Sequence, residues 1–265
     1  MPPASPLQPV ALFHRDFGGA GDPPFVILHG MLGSSRNWQT VGRDLARGRR
    51  VFALDLRNHG MSPHAESMSY EAMAADVVAW LDARGVDGAE LIGHSMGGKV
   101  AMLLACRHAA RVRRLVAVDI APRDYHWPAR WTEFAAMNGL DLASLRSRAE
   151  AEVRLEALVP SWAMRKFIAT NIERLPGGGW KWQINLPALA AALPVLERNP
   201  LGPGDRFDGP SLFVAGANSA YVGPGDTGAI RSHFPSARVK TLADSGHNPH
   251  IEAREAFVKA VAADG

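Results

Sequence analysis

The stretch LIGHSMGG (91–98) sets Ser95 between Gly93 and Gly97 in the spacing G-x-S-x-G. An apolar run, AELIGH, precedes it, and a helical pattern, MGGKVAMLLACRHA, follows. A tight strand-to-helix turn forces its central residue into a crowded backbone conformation, and small neighbours relieve the crowding. The hydroxyl then stands above the sheet edge at a helix N-terminus. A serine in a glycine-rich turn needs no function of its own. In this context Ser95 reads as a nucleophile. His94 fills the variable position of the motif and takes no part in the chemistry.

A serine hydroxyl is a weak nucleophile until a base removes its proton. The chain has ten histidines. His247, in ADSGHNPHIE (243–252), follows the last apolar run and precedes the last helical pattern. That position puts it at the same sheet edge as Ser95, where doubly wound sheets build their sites. His250 competes for the role; its alternative is a helix-start residue packed beside the site. HGMLGSS (29–35) also joins a strand to a helix, and its backbone can aim N–H groups at the nucleophile. The expected oxyanion donors are the N–H of Met31 and the N–H of Met96.

These residues need a scaffold, and the chain supplies one. Apolar runs at 24–30, 50–56, 89–95 and 111–122 alternate with helical patterns at 35–47, 70–85 and 96–109. The same alternation resumes with strands at 210–216 and 237–243 and helices at 226–234 and 251–263. This order predicts an α/β fold with a mostly parallel sheet covered on both faces. VALFHRDF (10–17) is a candidate antiparallel edge. Residues 123–205 break the alternation. They carry helical stretches, Pro and Gly breaks and many aromatics, without a convincing strand, and read as a helical insertion between two strands.

Composition narrows the classes. At 265 residues with 47% apolar residues, one large domain with an insertion can bury its core. The balance of +3 is spread, without a basic stripe or a nucleic-acid-binding module, so no nucleic-acid partner is expected. No run approaches the length of a membrane span, and MPPASPLQPVALF does not read as a secretory signal. Cys106 is the sole cysteine, which rules out an intrachain disulfide; it reads as a buried structural thiol. A cytoplasmic protein, monomeric or homodimeric, is expected. No metal-ligand spacing, dinucleotide fingerprint or P-loop ending appears, so no metal or cofactor is expected.

HGMLGSSRNW, DLRNHGMSP, IGHSMGGKVAM, VDIAP, FVAGANSAYV and SGHNPHIEA together resemble the α/β-hydrolase superfamily, and within it the small esterase group typified by YbfF and its abhydrolase-11-type animal relatives. WKWQINLPAL (180–189) is similar to that group as well. The resemblance covers nearly the whole chain. It implies an α/β-hydrolase core (1–122 and 206–265), a helical lid (123–205) and cofactor-free serine carboxylesterase activity on small esters. An acyl-CoA thioesterase or a C–C bond hydrolase would use the same residues. A non-enzymatic small-molecule receptor is the remaining alternative.

The resemblance also exposes a gap. Many α/β-hydrolases carry an acid three residues after the glycine that ends the strand following the lid; here that residue is Ser219. A histidine base still needs a carboxylate to fix its tautomer. Asp119 ends the strand after the nucleophile's, at the same edge, and the resemblance puts the acid there, in VDIAP (118–122). Its alternative role is to cap the first turn of the lid. Asp55, Asp226 and Asp244 are the rivals, and Asp55 is better suited to brace the loop carrying Arg57 and His59. Asn218 and Ser219 are left to shape the turn beside the histidine, and Ser219→Ala is expected to matter little. The expected pocket wall is Met31, Leu32, His94, Trp127, Trp182 and Tyr221.

Overall fold

A computed structural model describes residues 8–263. Part of the stretch read as lacking a secretory signal therefore lies outside the described residues. In chain order the elements are β1 (His14–Gly18), β2 (Phe25–Leu28), α1 (Gln39–Leu45), β3 (Val51–Leu54), α2 (Tyr70–Ala83), β4 (Ala89–His94), α3 (Met96–Arg107) and β5 (Val112–Val118). The insertion carries α4 (Pro128–Asn138), α5 (Arg148–Arg154), α6 (Trp162–Ala169), β6 (Ile172–Arg174), β7 (Trp180–Trp182) and α7 (Leu186–Leu196). The chain ends with β8 (Ser211–Gly216), α8 (Thr227–His233), β9 (Ala237–Leu242), α9 (Pro249–Glu252) and α10 (Arg254–Ala262).

The main sheet has seven strands in the order β1-β3-β2-β4-β5-β8-β9. β1 runs antiparallel to β3, as VALFHRDF suggested, and every other pair is parallel. Strands β2 (FVIL) and β3 (VFAL) are apolar throughout because alternate residues point to opposite faces and both faces are covered. Phe25 and Ile27 of β2 pack with Trp38, Val41, Leu45, Phe257 and Val261, beneath α1 and α10. Val26 and Leu28 point the other way, into the larger core with α2 and α3. In β5, Val116 and Val118 share the first face while Leu115 and Ala117 share the second.

Caps and a buried ion pair fix the connections. The Ser69 hydroxyl accepts from Ala72 N–H at 3.2 Å to start α2. Arg57, after β3, donates to both carboxylate oxygens of Asp76 in α2 at 2.6 and 2.7 Å; both side chains are buried. Bidentate geometry lets so deep a pair keep its hydrogen bonds.

Three expectations about local structure change. The insertion is not purely helical: β6 and β7 pair as an antiparallel hairpin, Ile172 opposite Trp182 and Arg174 opposite Trp180. Gly178 and Gly179 turn it at positive φ, and three-residue strands are too short to show a period of two. The final helix divides at Ala253 into α9 and α10. Cys106 is half-buried rather than buried, and that burial still pushes its thiol up to about 12. Among the described residues no helix is long and apolar enough to cross a membrane.

Candidate active site

The parallel strands bring their carboxyl ends to one edge, and the site is built there. Ser95 follows β4 directly at φ +50° and ψ −115°, a conformation that costs a non-glycine residue energy. Its neighbours show why the motif needs glycine. A Cβ at Gly93 would lie 2.3 Å from the Gly97 carbonyl oxygen, and a Cβ at Gly97 would lie 2.4 Å from that of Leu28. Met96 is the first residue of α3, so its N–H belongs to the turn of donors that a helix leaves without internal partners.

Asp119 directly follows β5, fully buried and also at positive φ. Its Oδ1 accepts from Gly216 N–H at 3.0 Å, and its Oδ2 accepts from His247 Nδ1 at 2.8 Å. A carboxylate only accepts, so Nδ1 carries the ring proton and Nε2 is left as a base. Of the rival acids, Asp55 accepts from Ser35 N–H at 2.6 Å and Met61 N–H at 2.8 Å, which makes it a brace between two loops. Asp226 pairs with Arg123 at 2.7 Å. Asp244 occupies a left-handed turn, three residues before the histidine.

Ser219 does more than shape a turn. Its hydroxyl donates to Asp119 Oδ2, the same oxygen that holds His247, and accepts from Tyr221 N–H at 3.1 Å. The Tyr221 ring then stacks on His247 with centroids 3.7 Å apart. In place of a carboxylate, a hydroxyl here points at one. Sequence reasoning missed this contact because it joins residues 100 positions apart.

Two neighbouring histidines have supporting positions. His94 Nε2 donates to the His247 carbonyl at 2.8 Å, and burial holds its ring well below the ordinary value. His250, the second residue of α9, stacks flat on Trp38 at 4.1 Å; burial pushes it down to about 3.

A cavity of about 830 Å³ opens in front of these groups. Ser95, His247, Met31, His94, Trp127 and Tyr221 all line it. Leu32 and Trp182 do not. Leu32 sits in the left-handed region at φ +61°, which turns its side chain into the core. Trp182 belongs to the β6–β7 hairpin and packs against the large core cluster. Arg123, Tyr125, Arg130, Met164 and Phe167 line the cavity and were not singled out in the sequence. They come from the insertion, where no strand end announces a position.

The turn expected to supply the Met31 donor has its own build. Gly33 N–H donates to the Gly30 carbonyl at 3.0 Å, closing a turn whose third residue, Leu32, takes positive φ. That bond uses neither Met31 N–H nor Leu32 N–H. Leu32 N–H goes to His59 Nε2 at 3.2 Å. Burial pushes His59 down to about 3, which keeps Nε2 an acceptor, and its Nδ1 donates to the Arg57 carbonyl at 2.9 Å. Burial likewise lowers His29, whose Nε2 accepts from Leu56 N–H at 3.0 Å.

Doubly wound sheets that present a serine and a carboxylate-held histidine at one edge are the scaffold of hydrolases. The chain belongs to the α/β-hydrolase family, whose model, described as alpha/beta hydrolase fold, matches residues 23–254. It is 37% identical over 263 residues to the sn-1-specific diacylglycerol lipase ABHD11 of Mus musculus, covering 96% of this chain and 85% of that protein. It is 35% identical over 241 residues to the esterase YbfF of Escherichia coli strain K12, covering 90% and 91%. A solved structure of a marine microorganism esterase matches with a TM-score of 0.93 at 32% identity, covering 97% of this chain and 100% of that one.

Proposed function

We propose that this protein is a serine carboxylesterase that hydrolyses small carboxylic esters through an acyl-enzyme on Ser95. The observation that carries the reading is the 2.8 Å bond from His247 Nδ1 to Asp119, which leaves Nε2 as the base beside a cavity that Ser95 lines. Ser95 Oγ attacks the ester carbonyl while Nε2 takes its proton. Met31 and Met96 N–H groups hold the tetrahedral oxyanion. Collapse breaks the ester bond, and the alcohol leaves with the proton from His247. Water then repeats the sequence on the acyl-enzyme, with His247 as base and then acid, and releases the carboxylic acid. In this reading residues 123–205 are a lid over a core built from the segments on either side.

The wall of Trp127, Met164 and Phe167 favours a second substrate class, a longer acyl ester such as the glycerides named for the mouse relative. Parallel assays on p-nitrophenyl acetate, p-nitrophenyl octanoate, a diacylglycerol and an acyl-CoA separate these from a thioesterase. Ser95→Ala and His247→Ala are expected to abolish turnover of whichever ester is accepted. A wild-type protein silent toward every activated ester would leave a binding role instead. The reading extends to a cytoplasmic enzyme, in keeping with a single cysteine that can form no intrachain disulfide, and to a monomer or homodimer. Size-exclusion chromatography with light scattering tests the oligomeric state.

A further inference from the structure

Leu32 is gripped at both its backbone N–H and its carbonyl, and the two grips come from different parts of the fold. Its N–H is held by His59, in the loop after β3. Its carbonyl accepts from Asn171 Nδ2 at 3.0 Å, and Asn171 belongs to the insertion. Asn171 is buried and is itself fixed twice. Its N–H donates to the Ile168 carbonyl at the end of α6 at 3.0 Å, and its carbonyl accepts from Gln183 N–H just past β7 at 2.7 Å. The β6–β7 hairpin therefore locks the amide that reaches the oxyanion turn.

The insertion also grips the other brace. Asn185 N–H donates to the Asn58 carbonyl at 3.0 Å, and Asn185 Nδ2 donates to Asn58 Oδ1 at 3.1 Å. Asn58 adopts φ +65° and directly precedes His59. A leucine and an asparagine in the left-handed region persist only where surrounding structure over-determines them. Here the insertion supplies one half of that constraint and the 55–62 loop the other.

We propose that Asn171 is a positioning residue for the reaction: it holds Leu32, and through it the Met31 N–H, in the orientation that receives the oxyanion. This rests on the esterase reading above. The insertion then does more than cover the cavity, because the oxyanion turn is complete only when the insertion is seated. Such a donor acts on the transition state, where charge develops on the carbonyl oxygen, and little on ground-state binding.

The test compares Asn171→Asp, isosteric but without the amide donor, with Asn171→Ser, small, polar and too short to reach. The reference is the wild-type protein on a p-nitrophenyl ester. The expected result is kcat down by about 10- to 100-fold with KM within about threefold. Affinity for a trifluoromethyl ketone, which forms a tetrahedral adduct on serine, should fall by the same factor as kcat. Melting curves identify which variants are folded. A folded variant with kcat within about twofold of wild type, or with the loss confined to KM, overturns the proposal. Wild-type protein that turns over no ester overturns the esterase reading instead.

Discussion

Asp119 receives three donors, from Gly216, His247 and Ser219, and two of them share Oδ2. The carboxylate is thus oriented before it orients anything else. Asp119→Asn keeps the shape but can hand a proton donor to His247 and reverse its tautomer. A loss of about 10⁴-fold in kcat is expected, measured by steady-state hydrolysis of a p-nitrophenyl ester. Near-normal turnover would remove Asp119 from the mechanism. Ser219→Ala takes away a donor one bond further out, and a loss of about tenfold is expected in the same assay. That replaces the small effect anticipated from the sequence alone. The contrast shows what a sequence can reveal at this scale. Ser95 declares itself because the strain, the glycines and the helix start are neighbours in the chain. Ser219 and Asn171 act across 100 and 139 positions, on partners that only the folded sheet and insertion bring near.

At the scale of elements, the end of α7 shows how the insertion is fastened. The last carbonyls of a helix need partners from outside it. Tyr70 Oη donates to the Leu196 carbonyl at 2.6 Å, and Lys99 Nζ donates to that of Arg198 at 2.6 Å. The ammonium also lies 5.5, 5.0 and 5.6 Å from the ring centroids of Tyr70, Tyr125 and Trp127. Burial pushes Lys99 down to about 7, and its protonated form suits both the rings and a helix C-terminus. Lys99→Met keeps the bulk but strands the carbonyls. A cost of roughly 2 kcal/mol is expected, or about 5 °C in Tm, read by circular dichroism. The sheet and the helices around it were legible because period-2 and helical patterns report burial directly. The hairpin was not, because its strands are stabilised by packing against a core that their own short sequence does not describe.

Across the whole molecule, burial keeps His29, His59, His94 and His250 neutral. The sign of the consequence is fixed. An unfolded chain protonates these rings near the ordinary value of 6.5, whereas His59 and His250 resist down to about 3. Between those limits the unfolded state binds more protons, so stability falls as pH falls and is fully present above about 6.5. Urea unfolding at pH 7, 6 and 5 should give a steadily lower midpoint. A midpoint independent of pH over that range would contradict neutral burial of these rings. The insertion enters at the same scale. It leaves the sheet after β5 and returns at β8, and those strands are hydrogen-bonded neighbours, with Val118 opposite Val214. A segment spliced between adjacent rungs can be exchanged without altering the order or register of the ladder. Part of the cavity wall is therefore carried on a replaceable cassette, and a graft would have to meet fixed sockets on the core that include the Leu32 carbonyl, the Asn58 amide, the Tyr70 hydroxyl and the Lys99 amine.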